Sequence, residues 1–264
     1  MSLLPVKKIY INSNFKTADS ESNSNFKFQL SRTFSFPKNS VFYIENFTCS
    51  HAWYSVEEGF NDSVCVNIDG QNYNRVMSSG NYTGETLATE LQGVFNSLRA
   101  NVFTVRYNNS KNNITVSVVG PTTFKMLTDD EAEFLFSTRN TINNTLQNTT
   151  GKSDTYSSSK SYTSGFIELL NIRNIYLHSP NLSSFTTYEG KGESNIIKKI
   201  PVSSDFGYLI LENFTSNHDW LSCASLSLSC LEFQLRDANG KLVPLHNSNV
   251  SFSIVFSKNS EENN

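Results

Sequence analysis

The sequence predicts an all-β antiparallel sandwich made of two related halves, on three observations. One is a phrase that occurs twice. Glu45-Asn46-Phe47-Thr48-Cys49-Ser50-His51-Ala52-Trp53-Tyr54-Ser55 returns as Glu212-Asn213-Phe214-Thr215-Ser216-Asn217-His218-Asp219-Trp220-Leu221-Ser222, with seven of the eleven positions identical and both tryptophans included. Each copy follows an apolar run of strand character, Val41-Phe42-Tyr43-Ile44 and Tyr208-Leu209-Ile210-Leu211. A strand-exit solution used near both ends of one chain fits a sandwich of two Greek keys. The second observation is the dominance of short apolar runs separated by polar turns. The third is composition. Only 38% of the 264 residues are hydrophobic, but 20 Phe and 11 Tyr carry enough apolar area for a core.

In chain order, Ile9-Tyr10-Ile11 is a short strand, and Phe26-Lys27-Phe28-Gln29-Leu30 alternates as a half-buried strand does. Residues 14–25 between them form a polar loop or edge. Strands follow at 41–47 and 64–68, the latter ending at the turn Asp69-Gly70. One helix is expected, over about 83–98. Leu87, Leu91, Val94, Phe95 and Leu98 form a single apolar stripe, and Thr83 is its candidate N-cap. Phe103-Thr104-Val105-Arg106-Tyr107 and Ile114-Thr115-Val116-Ser117-Val118 flank hairpin chemistry at 108–113. Residues 137–165 are rich in Ser, Thr and Asn and read as a long exposed loop. Strands resume at 172–177, 196–202 and 208–214. The chain closes on a hairpin, with 225–235 leading through the turn Asp237-Ala238-Asn239-Gly240 to a return by Leu242-Val243 and then 250–256.

Charge and cysteine content exclude several classes. A net charge of −3, with 17% charged residues, argues against a dominant electrostatic nucleic-acid surface. The only basic doublets, Lys7-Lys8 and Lys198-Lys199, read as solvated strand ends. No run reaches the roughly 18 consecutive apolar residues of a membrane span, and the first eight residues hold no signal-peptide core. Cys49, Cys65, Cys223 and Cys230 are too few for a disulfide scaffold and read as free thiols. The Asn-X-Ser/Thr sequons, such as those at Asn46 and Asn113, follow from composition.

No catalytic, cofactor-binding or metal residue is assigned. His51, His178, His218 and His246 form no H-x-H or H-E-x-x-H pair. His51 and His218 sit beside the tryptophans, and packing or turn hydrogen bonding is a stronger reading of them than a catalytic or metal pair formed in space. Asp129-Asp130-Glu131 with Glu133 lacks the turn glycine of a calcium loop and runs into Phe134-Leu135-Phe136, so it reads as a solvated helix start or loop. Asp237-Ala238-Asn239-Gly240 opens like an EF-hand loop, but Ser248 stands where the bidentate Glu belongs. There is no G-x-S-x-G elbow, P-loop or dinucleotide fingerprint. The chain reads as a non-enzyme without cofactors.

The order of the pieces carries a resemblance. Ile9-Tyr10-Ile11-Asn12-Ser13, a polar loop and Asn25-Phe26-Lys27-Phe28-Gln29-Leu30 resemble the opening of the minor capsid (penton) proteins of virophages and polinton-like viruses. Trp53-Tyr54 after the next strand and Ser79-Gly80-Asn81-Tyr82-Thr83 before the helix are similar to that family's pattern. So are Ile175-Tyr176-Leu177-His178-Ser179-Pro180-Asn181-Leu182, 196–202, 207–214, and the closing stretches 231–242 and 250–256. Val250 departs from it, standing where a Trp is expected. The resemblance covers most of the chain outside about 120–165. It implies a single jelly-roll domain over 1–264 with a polar loop or insertion at about 120–165. It also implies a homopentamer at the vertices of an icosahedral particle, assembled inside the host cell beside a major capsid protein, with no specific nucleic acid and no membrane span. The competing expectations are a jelly-roll carbohydrate-binding or host-attachment protein, with Trp53 and Trp220 as its exposed aromatics, and a hydrolase on a β-sandwich.

Overall fold

Alternation along the longest strands sets the architecture. The computed structural model describes residues 7–147, 157–158, 160–182, 185–189, 192–213 and 219–258. Its strands and helices run β1 Lys7–Asn12, β2 Asn25–Ser35, β3 Ser40–Ser50, β4 Ser63–Ile68, β5 Gln71–Val76, α1 Gly84–Leu98, β6 Phe103–Asn108, β7 Asn113–Val118, β8 Phe124–Met126, α2 Asp129–Phe136, α3 Ile142–Thr145, β9 Ser157–Ser158 and β10 Ser161–Thr163. They continue with β11 Asn174–His178, β12 Thr187–Glu189, β13 Gly192–Ser194, β14 Ile196–Pro201, β15 Leu209–Glu212, β16 Leu221–Ser222, β17 Ser227–Arg236 and β18 Val250–Lys258. The chain packs as two units, Met1–Trp53 with Ile172–Asn264, and Tyr54–Asn171. The insertion expected at about 120–165 thus falls inside a unit that begins at Tyr54.

The first unit is a jelly roll by its own strand order. One sheet runs β1-β18-β3-β15 and the other β14-β11-β17-β2. Counting the eight strands in chain order, these are 1-8-3-6 and 5-4-7-2, two antiparallel sheets that exchange strands as two Greek keys do. Inward positions of both sheets share one core. Phe26 packs on Phe233 at 5.5 Å, Phe233 meets Phe252 edge-on at 5.0 Å, and Phe252 stacks on Phe47 at 6.1 Å. That aromatic column joins β2 and β17 of one sheet to β18 and β3 of the other.

The repeated phrase does not mark two equivalent strand exits. Its first copy lies inside β3, which continues to Ser50. Asn46 there has φ +54°, and Asn46-Phe47 together oppose Phe252, because Ser253 pairs with Glu45 and Ser251 with Thr48. This is a bulge, and Asn tolerates the left-handed conformation better than most residues. The second copy ends β15 at Glu212, and Asn213 has no positive φ. The two copies lie on neighbouring antiparallel strands, with Glu212 paired to Phe47. Phe214 and His218 fall outside the described residues.

The closing hairpin forms only beside its turn, where Leu242 bridges Arg236 and Val243 N donates to Leu235 O, and β18 does not return along β17. β17 and β18 alternate as hairpin strands do, but they belong to different sheets. Both bury one face against the same core, so their patterns match whichever sheet each joins. The turn at 237–240 is real. Asp237 Oδ1 accepts from Asn239 N and Lys241 N at 2.8 Å each, and Gly240 has φ +79°.

The second unit has two small sheets, β5-β4-β8 and β6-β7-β10-β9. Helix α1 begins at the expected cap, with Thr83 and Thr86 forming a reciprocal capping box. It buries Leu87, Leu91 and Phe95 and packs on β6. Phe95 stacks on Phe103 at 5.1 Å, and Phe124 meets both rings edge-on. Gly84 opens the helix directly against Tyr107, whose ring a Cβ there would meet at 2.4 Å.

Among the described residues three α-helices stand where the sequence predicts one. Among its described residues the long exposed loop expected at 137–165 holds a short helix, strand segments and several buried side chains, while 148–156 and 159 lie outside the described residues. α3 carries buried Ile142, Asn143 and Thr145, and Tyr162 of β10 is fully buried. Composition misleads here because the amides act on backbone. β8 pairs β4 only at 66–68, and the uncovered edge at 63–65 is met by side chains. Asn140 Oδ1 accepts from Cys65 N at 2.9 Å, and Asn140 Nδ2 donates to the carbonyls of Cys65 and Leu127. Thr141 Oγ1 accepts from Ser63 N at 2.9 Å. On edge strand β6, Gln92 does the same, accepting from Val105 N and donating to Phe103 O, both at 2.7 Å. Each amide substitutes for a missing strand and satisfies groups that are costly to bury alone.

Candidate functional site

The outer face of the jelly-roll sheet β1-β18-β3-β15 holds the most distinctive surface of the first unit. Register fixes what points outward. Lys8, Val255 and Tyr43 form one row across three strands, and Tyr10, Ser253 and Glu45 form the next. On β15, Leu209 and Leu211 point outward opposite Ser50 and Thr48, while Ile210 between them is buried. Tyr10 is 72% exposed, Leu209 57% and Leu211 56%. Trp220, just before β16, meets the Tyr43 ring edge-on at 4.5 Å and keeps 39% of its surface exposed.

Few charges interrupt this face. Lys8 pairs with Glu45 across β18, and its ammonium sits over the Tyr10 ring at 5.3 Å. The hydrogen bond to Glu45 raises the Lys8 pKa. A self-neutralised ion pair among Tyr, Trp and Leu is the composition of a protein-docking surface: aromatic and aliphatic anchors with few unmatched charges to desolvate.

The outer face of the other sheet differs in kind. Tyr176 of β11 pairs with Arg236 and Lys199, and Glu232 pairs with Lys27. Lys27 also bridges to Asp19 at 2.8 Å. Lys27 is the leading cause holding the Asp19 carboxyl down at about 2, with Thr17 adding to it. One face of the sandwich is thus aromatic and aliphatic, and the other is studded with charge.

The residues weighed from the sequence take structural positions. The His51 Nδ1–H donates to the Ser204 carbonyl at 2.7 Å, and its ring lies 4.4 Å from Trp53. His178 is buried beside Asn195 and Ser194. His246 lies in the β17–β18 connection at φ +45°. The pairing of His51 with His218 lies outside the described residues. Asp129, Asp130 and Glu131 open helix α2, where Glu131 closes a capping box with Thr128 and pairs with Lys125 at 2.5 Å. Asp129 accepts from buried Asn143 at 3.0 Å. Among the described residues no three His, Cys, Asp or Glu side chains gather as a metal site would need, and no helix is long and apolar enough to cross a membrane.

Trp53 is 1% exposed, so it cannot serve as the open aromatic platform of a sugar-binding cleft. The surface residues missed from sequence are Tyr10, Leu209 and Leu211. Their signal is three apolar residues in succession, Ile9-Tyr10-Ile11 and Leu209-Ile210-Leu211. A strand with one buried face needs only alternate apolar positions, so the others are surplus.

No family model matches this chain, and no curated protein does. Among solved structures, the crystal structure of selenomethionine-labelled mavirus penton protein is similar over 96% of this chain and 99% of that one, at a TM-score of 0.49 and 11% sequence identity.

Proposed function

We propose that this chain is a capsid vertex protein: a jelly roll that closes into a homopentamer at the fivefold positions of an icosahedral particle, beside a major capsid protein. The observation that carries the reading is where the motifs of the family resemblance fall. They lie in order on β1, β2, the turn before α1, β11, β14, β15, β17 and β18, seven of these eight being jelly-roll elements. Fold alone assigns no function, so the coincidence of ordered motifs with these strands is what favours a penton over other jelly rolls.

The two unlike outer faces suit that role. A cyclic ring repeats one heterologous contact, with surface A of each copy on surface B of the next, whereas a dimer needs one self-complementary patch. The Tyr10–Tyr43–Trp220–Leu211 face and the Lys27–Lys199–Arg236 face are opposite sides of one sandwich and chemically different. The role needs no catalysis, cofactor or specific nucleic acid, and its place is the virion, assembled inside the host cell. Light scattering of purified protein at high concentration tests it. The expected mass is five times 29.7 kDa. A stable, closed dimer or trimer contradicts the proposal.

A further inference from the structure

The second unit carries a groove that no part of the vertex role uses. It lies on the outward side of the β6–β7 hairpin and has a volume of about 850 Å³. Alternation builds its floor. Phe103 is buried and Val105 and Tyr107 are half-buried, while Thr104 and Arg106 face out; on β7, Ile114, Val116 and Val118 point inward while Thr115 and Ser117 face out. Register places Thr104 opposite Ser117 and Arg106 opposite Thr115. The hydroxyl array extends to β10, where Thr163 hydrogen-bonds Thr115 at 3.1 Å. Tyr107 borders the groove, its half-buried ring turned inward against Gly84 and its hydroxyl donating to Asn112 Oδ1 at 2.8 Å.

Charge distribution selects the ligand. The chain is net negative, yet no Asp or Glu occurs anywhere in 91–128, the segment that supplies the whole lining. Arg106 is exposed and makes no ion pair among the described residues. Among the described lining residues its guanidinium is the one charge, set among hydroxyls that both donate and accept. A planar fork of donors suits a carboxylate or sulfate, and flanking hydroxyls suit the hydroxyls of a sugar ring.

We infer that this groove binds an acidic glycan, with Arg106 holding the anionic group and Thr104, Thr115 and Ser117 holding ring hydroxyls. The inference rests on the second unit alone and stands whether or not the chain pentamerises. Titration of the full-length protein by ligand-observed NMR, with 3′-sialyllactose, a sulfated heparin disaccharide and neutral lactose as probes, tests it. Saturable binding of at least one anionic probe, tenfold or more tighter than lactose, is expected, and the probe that wins identifies carboxylate or sulfate as the group read. Arg106→Ala should weaken that probe at least tenfold at an unchanged melting temperature, and Thr115→Val should weaken all three sugars. Arg106→Lys keeps the charge but loses the fork, so it should recover only part of the affinity. Absence of saturable binding to either anionic probe overturns the inference. So does binding unaffected by Arg106→Ala, or binding that a single-stranded oligonucleotide abolishes, which would point to general anion attraction.

Discussion

Trp220 meets Tyr43 edge-on at 4.5 Å, and this pair anchors the apolar outer face of the jelly roll. The contact contributes little to folding, because Trp220 keeps 39% of its surface in solvent. An edge-to-face pair adds about 0.5–1.5 kcal/mol beyond burial. Trp220→Ala should therefore cost about 1–2 kcal/mol in urea denaturation while shifting the oligomer to smaller species by light scattering. A full-mass assembly of the variant would remove this face from the subunit contact.

The aromatic column through the sandwich should behave oppositely. Phe47 and Phe233 are fully buried, and each packs on Phe252. Truncation of either to Ala should destabilise by about 3–5 kcal/mol. Phe15→Ala, at a residue 74% exposed, should stay within about 0.5 kcal/mol. Equal losses at Phe15 and Phe47 would contradict the assignment of the core.

Asn140 takes the place of a strand, and its loss should show it. Asn140→Ala strands the Cys65 amide and removes a donor from two carbonyls in a site with no solvent access. A loss of about 1–3 kcal/mol is expected, chiefly from the buried Cys65 amide left unpaired, since the Cys65 carbonyl keeps Leu127 N and the Leu127 carbonyl keeps Asn143 Nδ2. Hydrogen exchange at the Cys65 amide should accelerate more than exchange at Ile254 in the jelly roll. Uniform acceleration in both units would sink the idea of a local clasp.

Most of the jelly-roll strands were legible in the sequence, and in the second unit β4, α1, β6 and β7 were, while β5, β8, α2, α3, β9 and β10 were not. β1, β2, β3 and α1 announce themselves because each presents one apolar face at its own period and ends in turn or cap chemistry, as at Thr83. The partners of those strands did not, since β17 and β18 show the same alternation whether they form a hairpin or join separate sheets. The 137–165 stretch failed for another reason. Asn140, Thr141 and Asn143 look like surface residues, and their burial depends on backbone groups of β4 and Leu127 that are distant in sequence. The docking face was visible only as surplus apolar residues, which gain meaning once register shows that Tyr10, Tyr43 and Leu211 share one side.

Acid should weaken the jelly roll through Asp19. Its carboxyl is held at about 2, below the ordinary 3.8, chiefly by Lys27. A depressed carboxylate stabilises the fold above its unfolded pKa, and that stabilisation is lost as pH falls through the folded value. The window is therefore about pH 4 down to pH 2. The pair is solvent-screened, so the effect is modest. Asp19→Asn should lower the melting temperature slightly at pH 7, match the parent protein near pH 2, and so flatten the profile in that window. An unaltered acid limb would show that other carboxylates control it.

The thiols should react in an order set by burial. Burial pushes Cys49 and Cys223 up to about 12, and Cys65 is raised for the same reason. Cys230 is also raised but half-exposed on β17. Alkylation with iodoacetamide at pH 8, read by mass spectrometry, should label Cys230 first, with the other three following only on unfolding. Rapid labelling of Cys49 in the native protein would contradict the packing of β3 against the core.

Electron cryomicroscopy of shells co-assembled from this chain and the major capsid protein proposed as its partner tests the central claim most directly. The account predicts five copies at each fivefold vertex, with the Tyr10–Tyr43–Trp220–Leu211 face of every jelly roll buried against the charged sheet of its neighbour. Closed shells whose vertices are complete without this chain would contradict it.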